Sequence, residues 1–439
     1  MTQAVAFSIL ALTVSLSLKR PTLGRVRIHH SSAAVIGALL CVISGTLPWP
    51  LVVQALQFLF FPVVTIVSLM TITLIADHAG LFELLAKQIA RAAGGDGKKL
   101  FAYLFFAGTL TGTIFTNDAA VLIFTPLVFK LIEEVQGDDW TVVNKIPFYF
   151  AVLYVANVVG ALVISNPINI IVCSFFGISF LDYAAWMFFP ALVSILTTFF
   201  GLRWFFRKAI PERFVLRDEA SAALRNPTFL FVSGVVLGLT MMAFFTEGVT
   251  GIPTWVTALC GALTLLAVHV LLGQSHPAQI IRGIGWDVIV FVVGIFIVAN
   301  GLRNVGLTGQ VAGLIRFLSG SDPVAMKQVT GFTAAISSSI MNNHPTADMM
   351  GMVIRDLNLP LFETKMLVFA ALIGGDLGPK MLPIGSLAAL LWFRMLRDRG
   401  IDVPYRLYII IGIPVTLAAI FLSIVMLNIE VWVYQALGP

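Results

Sequence analysis

Charge is what this sequence has least of. Asp, Glu, Lys and Arg make up 11% of its 439 residues, less than half the share of about 25% usual in soluble domains. A water-soluble fold of this length is therefore excluded. Cysteine is scarce too. Cys41, Cys173 and Cys260 are the three in the chain, each in an apolar run, and they form neither a disulfide framework nor a metal-ligand pattern. His29 and His30 stand side by side with no partner that would complete a metal site. No metal and no cofactor are expected. The net charge of +5 looks like a nucleic-acid signal only until its distribution is read, and no nucleic-acid partner is expected.

Hydrophobic sequence fills the space: 59% of residues are apolar and mean hydropathy is +0.96. Runs of about 17 to 25 apolar residues span a bilayer as helices, and these runs lack the alternation of barrel strands. The chain reads as an all-α integral membrane protein with the lipid bilayer as solvent. The first run, "AVAFSILALTVSLSL", has its basic cluster after it, the reverse of a cleaved secretory signal, and reads as a retained helix. Ten crossings are predicted, near 2–18, 31–46, 54–79, 146–176, 181–204, 228–246, 254–274, 285–305, 363–393 and 405–431. Two further runs, 101–132 and 330–354, carry polar residues at their centres and read as re-entrant hairpins.

With that count, four loops on one face hold most of the basic residues, from Lys19 to Arg27, Lys87 to Lys99, Arg203 to Arg225 and Arg394 to Arg406. The loops "TLPWP" and "TEGVTGIPT" on the other face have none. The positive-inside rule makes the basic face cytoplasmic. A multi-pass protein of the cell inner (plasma) membrane is expected, with both termini extracytoplasmic. Arg316 and Lys327 fall on the outer face as exceptions.

The chain also repeats itself. "AGLFELLAKQIARAAGGD" (79–96) aligns with "VGLTGQVAGLIRFLSGSD" (305–322) at an offset of 226, and "ALVISN" (161–166) with "ALIGGD" (371–376) at an offset of 210. Each half has an odd number of crossings, so the second enters the membrane in the opposite sense. Inverted repeats place a transport site at their interface, near the midplane, between broken helices. The expected organisation is a first repeat over 1–206 with hairpin 101–132 and broken helix 146–176, a cytoplasmic linker at 207–227, and a second repeat over 228–439 with hairpin 330–354 and broken helix 363–393.

Four polar motifs interrupt the apolar runs: "FTNDAA", "ISNPINI", "MNNHPT" and "GGDLGPK". Unwound backbone at membrane depth is tolerated only inside protein or around a cavity, so the four converge on one polar site. Their candidate substrate-binding residues are Asn117, Asp118, Ser165, Asn166, Asn169, Asn342, Asn343, Thr346 and Asp376; Asp118, Asp376 and Lys380 are candidates for proton coupling. Each charge costs about 2.5 to 3.5 kcal/mol at a helix centre on insertion scales. Asp376 and Lys380 face each other if the helix resumes at once, either as a static ion pair or as a titrating carboxylate beside a fixed cation. Asp118 has no cation near it in sequence and reads as the better proton carrier, although Asn117 and Asp118 also suit helix caps. His344 either titrates in the physiological range or simply faces outer water. "MMGM" (349–352) reads as packing or lipid-facing.

At these motifs the chain resembles the ArsB family of arsenite/antimonite efflux carriers, in the ion-transporter superfamily. The likeness runs over nearly the whole chain, through "TNDAAVLIFTPLV", "SNPINI", "FFGISFLDYAAWM", "GLRNVGL", "MNNHPT" and, most specifically, "GDLGPKMLPIGSLAALLW". The resemblance implies a transporter rather than an enzyme. It implies secondary active efflux of arsenite or antimonite as the neutral hydroxide in exchange for protons, conferring arsenical resistance, with an elevator-type transport domain moving against a scaffold. Family roles fall on Asn117, Asp118, Ser165, Asn166, Asn342, Asn343, Asp376 and Lys380. A soluble arsenite-stimulated ATPase subunit, which docks on some family members, is a candidate partner. His344 departs from the family pattern, which has an apolar residue there. Cys173 would suit a soft metalloid, yet a lone apolar cysteine is more often packing.

Two other readings compete. A sodium/proton antiporter of the same superfamily needs oxygen ligands for a hard cation, which Lys380 would oppose. An intramembrane aspartyl protease with a G-x-G-D motif needs glycine where this chain has Ile373, and it leaves the repeat unexplained.

Overall fold

In lipid the backbone must satisfy its own polar groups, which for an open chain means helices. The computed structural model describes the chain apart from residues 1, 20, 24–25, 137–139, 156–159, 217–225, 273–275, 321 and 439, and apart from the side chains of 22, 23, 26, 27, 117–123, 133–136, 216, 384, 387, 388 and 391. The first half contains α1 (Thr2–Lys19), α2 (His30–Ile43), α3 (Trp49–His78), α4 (Leu81–Ala93), α5 (Gly97–Ile114), α6 (Asn117–Glu134), α7 (Val142–Val155), a 3-10 turn (Val163–Ser165), α8 (Pro167–Phe176) and α9 (Phe180–Phe205). The second contains α10 (Pro227–Phe245), α11 (Glu247–Thr250), α12 (Thr254–Leu271), α13 (Pro277–Gly283), α14 (Trp286–Asn304), α15 (Leu307–Ser319), α16 (Pro323–Met341), α17 (Asn343–Asp356) and α18 (Leu361–Leu377). Two 3-10 turns (Gly378–Lys380 and Pro383–Gly385), α19 (Leu387–Arg397) and α20 (Tyr405–Leu437) complete it. The described strands are two antiparallel ribbons of two-residue strands, Thr22–Leu23 with Val26–Arg27 and Val135–Gln136 with Val215–Leu216.

Every predicted crossing falls on a helix or on one of the broken pairs α7 with α8 and α18 with α19. Among the described residues seven helices are long and apolar enough to cross a membrane, namely α1, α3, α9, α10, α12, α14 and α20; α2, α7 and α8 are shorter apolar helices. The predicted hairpins are α5 with α6 and α16 with α17. Contacts between helix ends respect ten alternating crossings. On one face Asn304 Nδ2 donates to the Thr46 carbonyl at 2.9 Å, and the Phe180 N–H donates to Glu247 Oε2 at 2.8 Å. On the face of the basic loops Lys98 pairs with Glu212 at 3.2 Å, and Asn144 Nδ2 donates to the Ala209 carbonyl at 3.0 Å.

The order from α3 to α9 recurs from α14 to α20, and so does its local chemistry. The amphipathic helices α4 and α15 each start after a left-handed glycine, Gly80 (φ 83°) and Gly306 (φ 80°), a conformation only glycine adopts without cost. Asp96 then caps α5 by accepting from the Lys98 and Lys99 backbone N–H groups, as Asp322 caps α16 by accepting from those of Val324 and Ala325. The offset of 226 is thus a match of hinges and caps. The offset of 210 is corrected. Asn166 caps α8 and Ser386 caps α19, whereas Asp376 lies in the last turn of α18. Helix starts need a side-chain acceptor, so the cap, not the short sequence likeness, marks the equivalent position.

Glycines let α18 lie directly on α16. A Cβ at Gly374 would sit 1.9 Å from the Gly331 carbonyl oxygen, and one at Gly378 would sit 2.3 Å from that of Ala335. Small residues at a membrane helix interface allow this approach, which fastens the second hairpin to the second broken helix.

Candidate functional site

The second break lies later than its sequence suggests. Gly378 keeps right-handed helical geometry (φ −52°, ψ −40°) at the end of α18, and the 3-10 turn carries the coil on through Lys380. Pro379 has no N–H to continue the α-helical ladder of α18, which ends there. Helical geometry gives way only at Leu382, which is extended (φ −128°, ψ 138°) before Pro383. "GGDLGP" is therefore the end of the first half-helix rather than the gap.

This places the Asp376 side chain, 0% exposed, against the start of α8. Asn166 Nδ2 donates to Asp376 Oδ1 at 2.7 Å and Asn169 Nδ2 donates to Oδ2 at 3.3 Å. Asn169 Nδ2 also lies 3.0 Å from the Tyr183 hydroxyl oxygen, and that hydroxyl donates to the Gly160 carbonyl at 3.1 Å. The carboxylate comes from the second half of the chain and its donors from the first. Asn166 does two things at once, since its Oδ1 accepts from the Ile168 N–H at 3.3 Å while its amide nitrogen holds Asp376. An amide carries its donor and its acceptor on separate atoms, so one side chain can serve both partners. Hydrogen bonds to an ionised group are shorter and stronger than neutral ones, and the N-terminus of α8 adds the positive end of its dipole.

Lys380 does not form the i,i+4 pair expected from spacing. It is 2% exposed, its Nζ has no hydrogen-bond partner among the described residues, and it lies 5.3 Å from the centre of the Tyr154 ring. The 3-10 turn has three residues per turn instead of 3.6, which rotates Lys380 away from the α-helical register that would face Asp376. A cation over an aromatic ring retains part of its electrostatic stabilisation. Ser165 is 0% exposed, and its Oγ has no partner among the described residues; a Cβ on Gly160 would fall 1.6 Å from that oxygen.

The second hairpin tip is held by its own amides. Asn342 takes a positive φ of 81° and accepts from the His344 N–H at 3.4 Å; Asn343 Oδ1 accepts from the same N–H at 3.0 Å. Thr346 Oγ1 donates back to the Asn342 carbonyl at 2.9 Å. All three are buried, and α17 packs on α8 and α18, the helices of the Asp376 cluster. Asn342, Asn343 and Thr346 thus bond to one another's tip rather than to Asp376. His344 is buried and does not face outer water; its ring stands edge-on to Phe291 at 5.8 Å, and His30 contacts the same ring at 5.3 Å. Asn117 and Asp118 open α6, and their side chains lie outside the described residues. Cys173 is buried among the apolar residues of the core. Among the described residues no cluster of His, Cys, Asp or Glu is suited to hold a metal ion.

Sequence reasoning missed two participants. Tyr183, read only as part of a helix, orients Asn169. Asp348, within the hairpin run 330–354 but not singled out there, is 4% exposed on α17, with an Oδ2 that has no partner among the described residues. The signal for Asp348 was present, because the cost of an intramembrane carboxylate applies there as it does at Asp376.

Seven membrane-length apolar helices among the described residues, with shorter apolar helices, helical hairpins and two broken helices meeting at a buried carboxylate, are the build of a membrane transporter. The comparisons carry this to a family. The chain belongs to the ArsB family, described as arsenical pump membrane protein, which matches residues 5–433. It is 32% identical over 401 residues to the arsenical pump membrane protein of Escherichia coli, with 91% of this chain and 93% of that one covered. It is 30% identical over 430 residues to the protein of the same name from Yersinia enterocolitica, with 97% and 98% covered. Its fold is similar to the YdaH transporter of Alcanivorax borkumensis, with a TM-score of 0.63 at 14% identity over 100% of this chain and 99% of that one. It is also similar to MtrF of Neisseria gonorrhoeae, with a TM-score of 0.53 at 13% identity over 97% and 94%.

Proposed function

We propose that this protein exports arsenite or antimonite, as the neutral trivalent hydroxide, in exchange for protons, and so confers arsenical resistance. The observation that carries the reading is the Asp376 cluster, a fully buried carboxylate held by two amides from the other repeat. A neutral hydroxide offers O–H donors and oxygen acceptors, which suit amides and a carboxylate and require no fixed counter-charge. Asp376 and Asp118 are the groups through which protons couple, with Lys380, on the same broken helix as Asp376, as the basic group of the coupling set. The glycine hinges around α4 and α15 let the hairpins and broken helices move as one body against the scaffold, in the manner of an elevator. The basic loops face the cytoplasm and both termini lie outside, so reporters at the C-terminus and in the 207–227 loop should read opposite sides.

An uncharged solute gains nothing from membrane potential, whereas one entering proton at about 150 mV supplies roughly 3.5 kcal/mol. At about 1.36 kcal/mol per tenfold, that supports a gradient of several hundredfold. Electrogenic exchange of one proton per metalloid is therefore expected. Everted vesicles should take up trivalent arsenic or antimony when a proton gradient is imposed, and sealed proteoliposomes should respond to an imposed potential at zero pH difference. Uptake that ignores the potential, or that requires sodium, would replace this reading with the sodium-coupled one.

A further inference from the structure

Arg316 and Lys327, the two outer-face exceptions to the basic-loop pattern, line the same cavity. It has a volume of about 600 Å³ and lies between α15, α16, α18 and α20. At this end Arg303 pairs with Asp356 and Lys365 with Asp182, each at 3.0 Å, and Arg355 lies over the Phe175 ring at 5.2 Å. Arg316 donates through Nη2 to the Leu357 carbonyl. Lys327 is different. It is 5% exposed, it lines the cavity, and it has no hydrogen bond or ion pair with a described residue. The acidic groups acting on it are Asp322 and Glu363, and the Asp322 carboxylate is committed to capping α16. Glu363 stands in the cavity wall. The remaining lining is largely apolar, with Met326, Phe362 and Met366 among it. Arg316 and Phe362 of the lining are each flanked in sequence by a strongly exposed apolar residue, Phe317 at 83% and Leu361 at 89%.

A buried cation without a partner, a second cation and one carboxylate, above an apolar wall flanked by exposed apolar residues, match the headgroup and chain of a zwitterionic aminophospholipid. We propose that this cavity is a phosphatidylethanolamine site, with the lipid phosphate on Lys327 and Arg316, the lipid ammonium on Glu363 and an acyl chain along Met326 and Met366. The charges select within the lipid class. Phosphatidylglycerol has no ammonium for Glu363, and the quaternary ammonium of phosphatidylcholine has no N–H to donate. The lipid would bridge α15 to the second hairpin and the second broken helix.

Native mass spectrometry of the full-length protein, released from nanodiscs of equimolar phosphatidylethanolamine, phosphatidylglycerol and phosphatidylcholine, tests this without any mutation. Phosphatidylethanolamine should be retained at least tenfold over each of the others. Equal retention, or preference for phosphatidylglycerol, overturns the proposal. Lys327→Met should lose the retained lipid at an unchanged melting temperature, and Glu363→Gln should shift preference toward phosphatidylglycerol. A folded Lys327→Met that retains the lipid as the parent does would equally overturn it.

Discussion

The two broken helices share a plan and divide the chemistry. In α7 with α8 the break is followed by an amide cap, Asn166, and the polar side chains around it include Ser165, Asn166 and Asn169. In α18 with α19 the cap is a serine, Ser386, and the charges Asp376 and Lys380 stand before the break. Symmetry of backbone does not bring symmetry of function. One half supplies neutral donors and the other the carboxylate they hold, so the site exists only where the halves meet. Such a division costs less than a carboxylate from each half would, because like charges buried together oppose one another's ionisation.

The largest effect should come from removing the charge. Asp376→Asn leaves one acceptor oxygen, so one of the two amide bonds is lost and the other no longer reaches a carboxylate; hydrogen bonds to a charged group are worth about 1.5 to 3 kcal/mol each. Metalloid uptake into everted vesicles should fall by more than about hundredfold on that basis, with the protein still present in the membrane. Near-normal uptake would remove Asp376 from the mechanism. Asn166→Asp should come next. It keeps the cap on α8 but sets a second carboxylate 2.7 Å from the first, and a loss of about ten- to hundredfold is expected from one charged hydrogen bond. The matching change in the other half, Ser386→Ala, removes the cap on α19, worth about 1 kcal/mol. A transport loss as large as that of Asn166→Asp would show that the caps, not the amide donors, distinguish the two breaks.

Packing offers a third contrast. Gly374→Ala would drive a Cβ into the Gly331 backbone, whereas Gly313 on α15 has open space around its Cβ position. Overpacking of this kind costs about 1 to 3 kcal/mol, so Gly374→Ala should lower the melting temperature in detergent by several degrees and Gly313→Ala should leave it unchanged or raise it. Equal melting temperatures would mean that α16 and α18 have room to part. Smallest of all, Tyr183→Phe deletes one neutral hydroxyl that steadies Asn169. A loss of about 0.5 to 1.5 kcal/mol, or roughly two- to tenfold in uptake affinity, is expected; no change would show that Asn169 holds its position without it.

Much of the fold was legible because hydropathy and capping are local. A run of apolar residues long enough to cross the bilayer needs no knowledge of its neighbours, and neither does a glycine hinge followed by an aspartate cap, as at Gly94 to Asp96 and Gly320 to Asp322. Asp376 was legible for the same reason, since an ionisable group in an apolar run announces its own cost. The partners were not. Asn166 and Asp376 are 210 residues apart, and the short likeness around them suggested equivalence where the structure shows contact. The direction of Lys380 was hidden by one turn of 3-10 geometry, which spacing alone reads as α-helix.

The amino-acid sequence by itself determined that this protein lives in lipid, crosses it as helices, repeats in inverted sense and carries charge at its broken helices, because each of these follows from the transfer energy of a segment or the needs of a helix end. Tertiary structure alone decided which amides hold Asp376, that Lys380 lies over Tyr154 and that Lys327 and Glu363 share a cavity. Those outcomes depend on how closely whole helices approach, and that distance is set by small residues such as Gly331 and Gly374 meeting across the sequence.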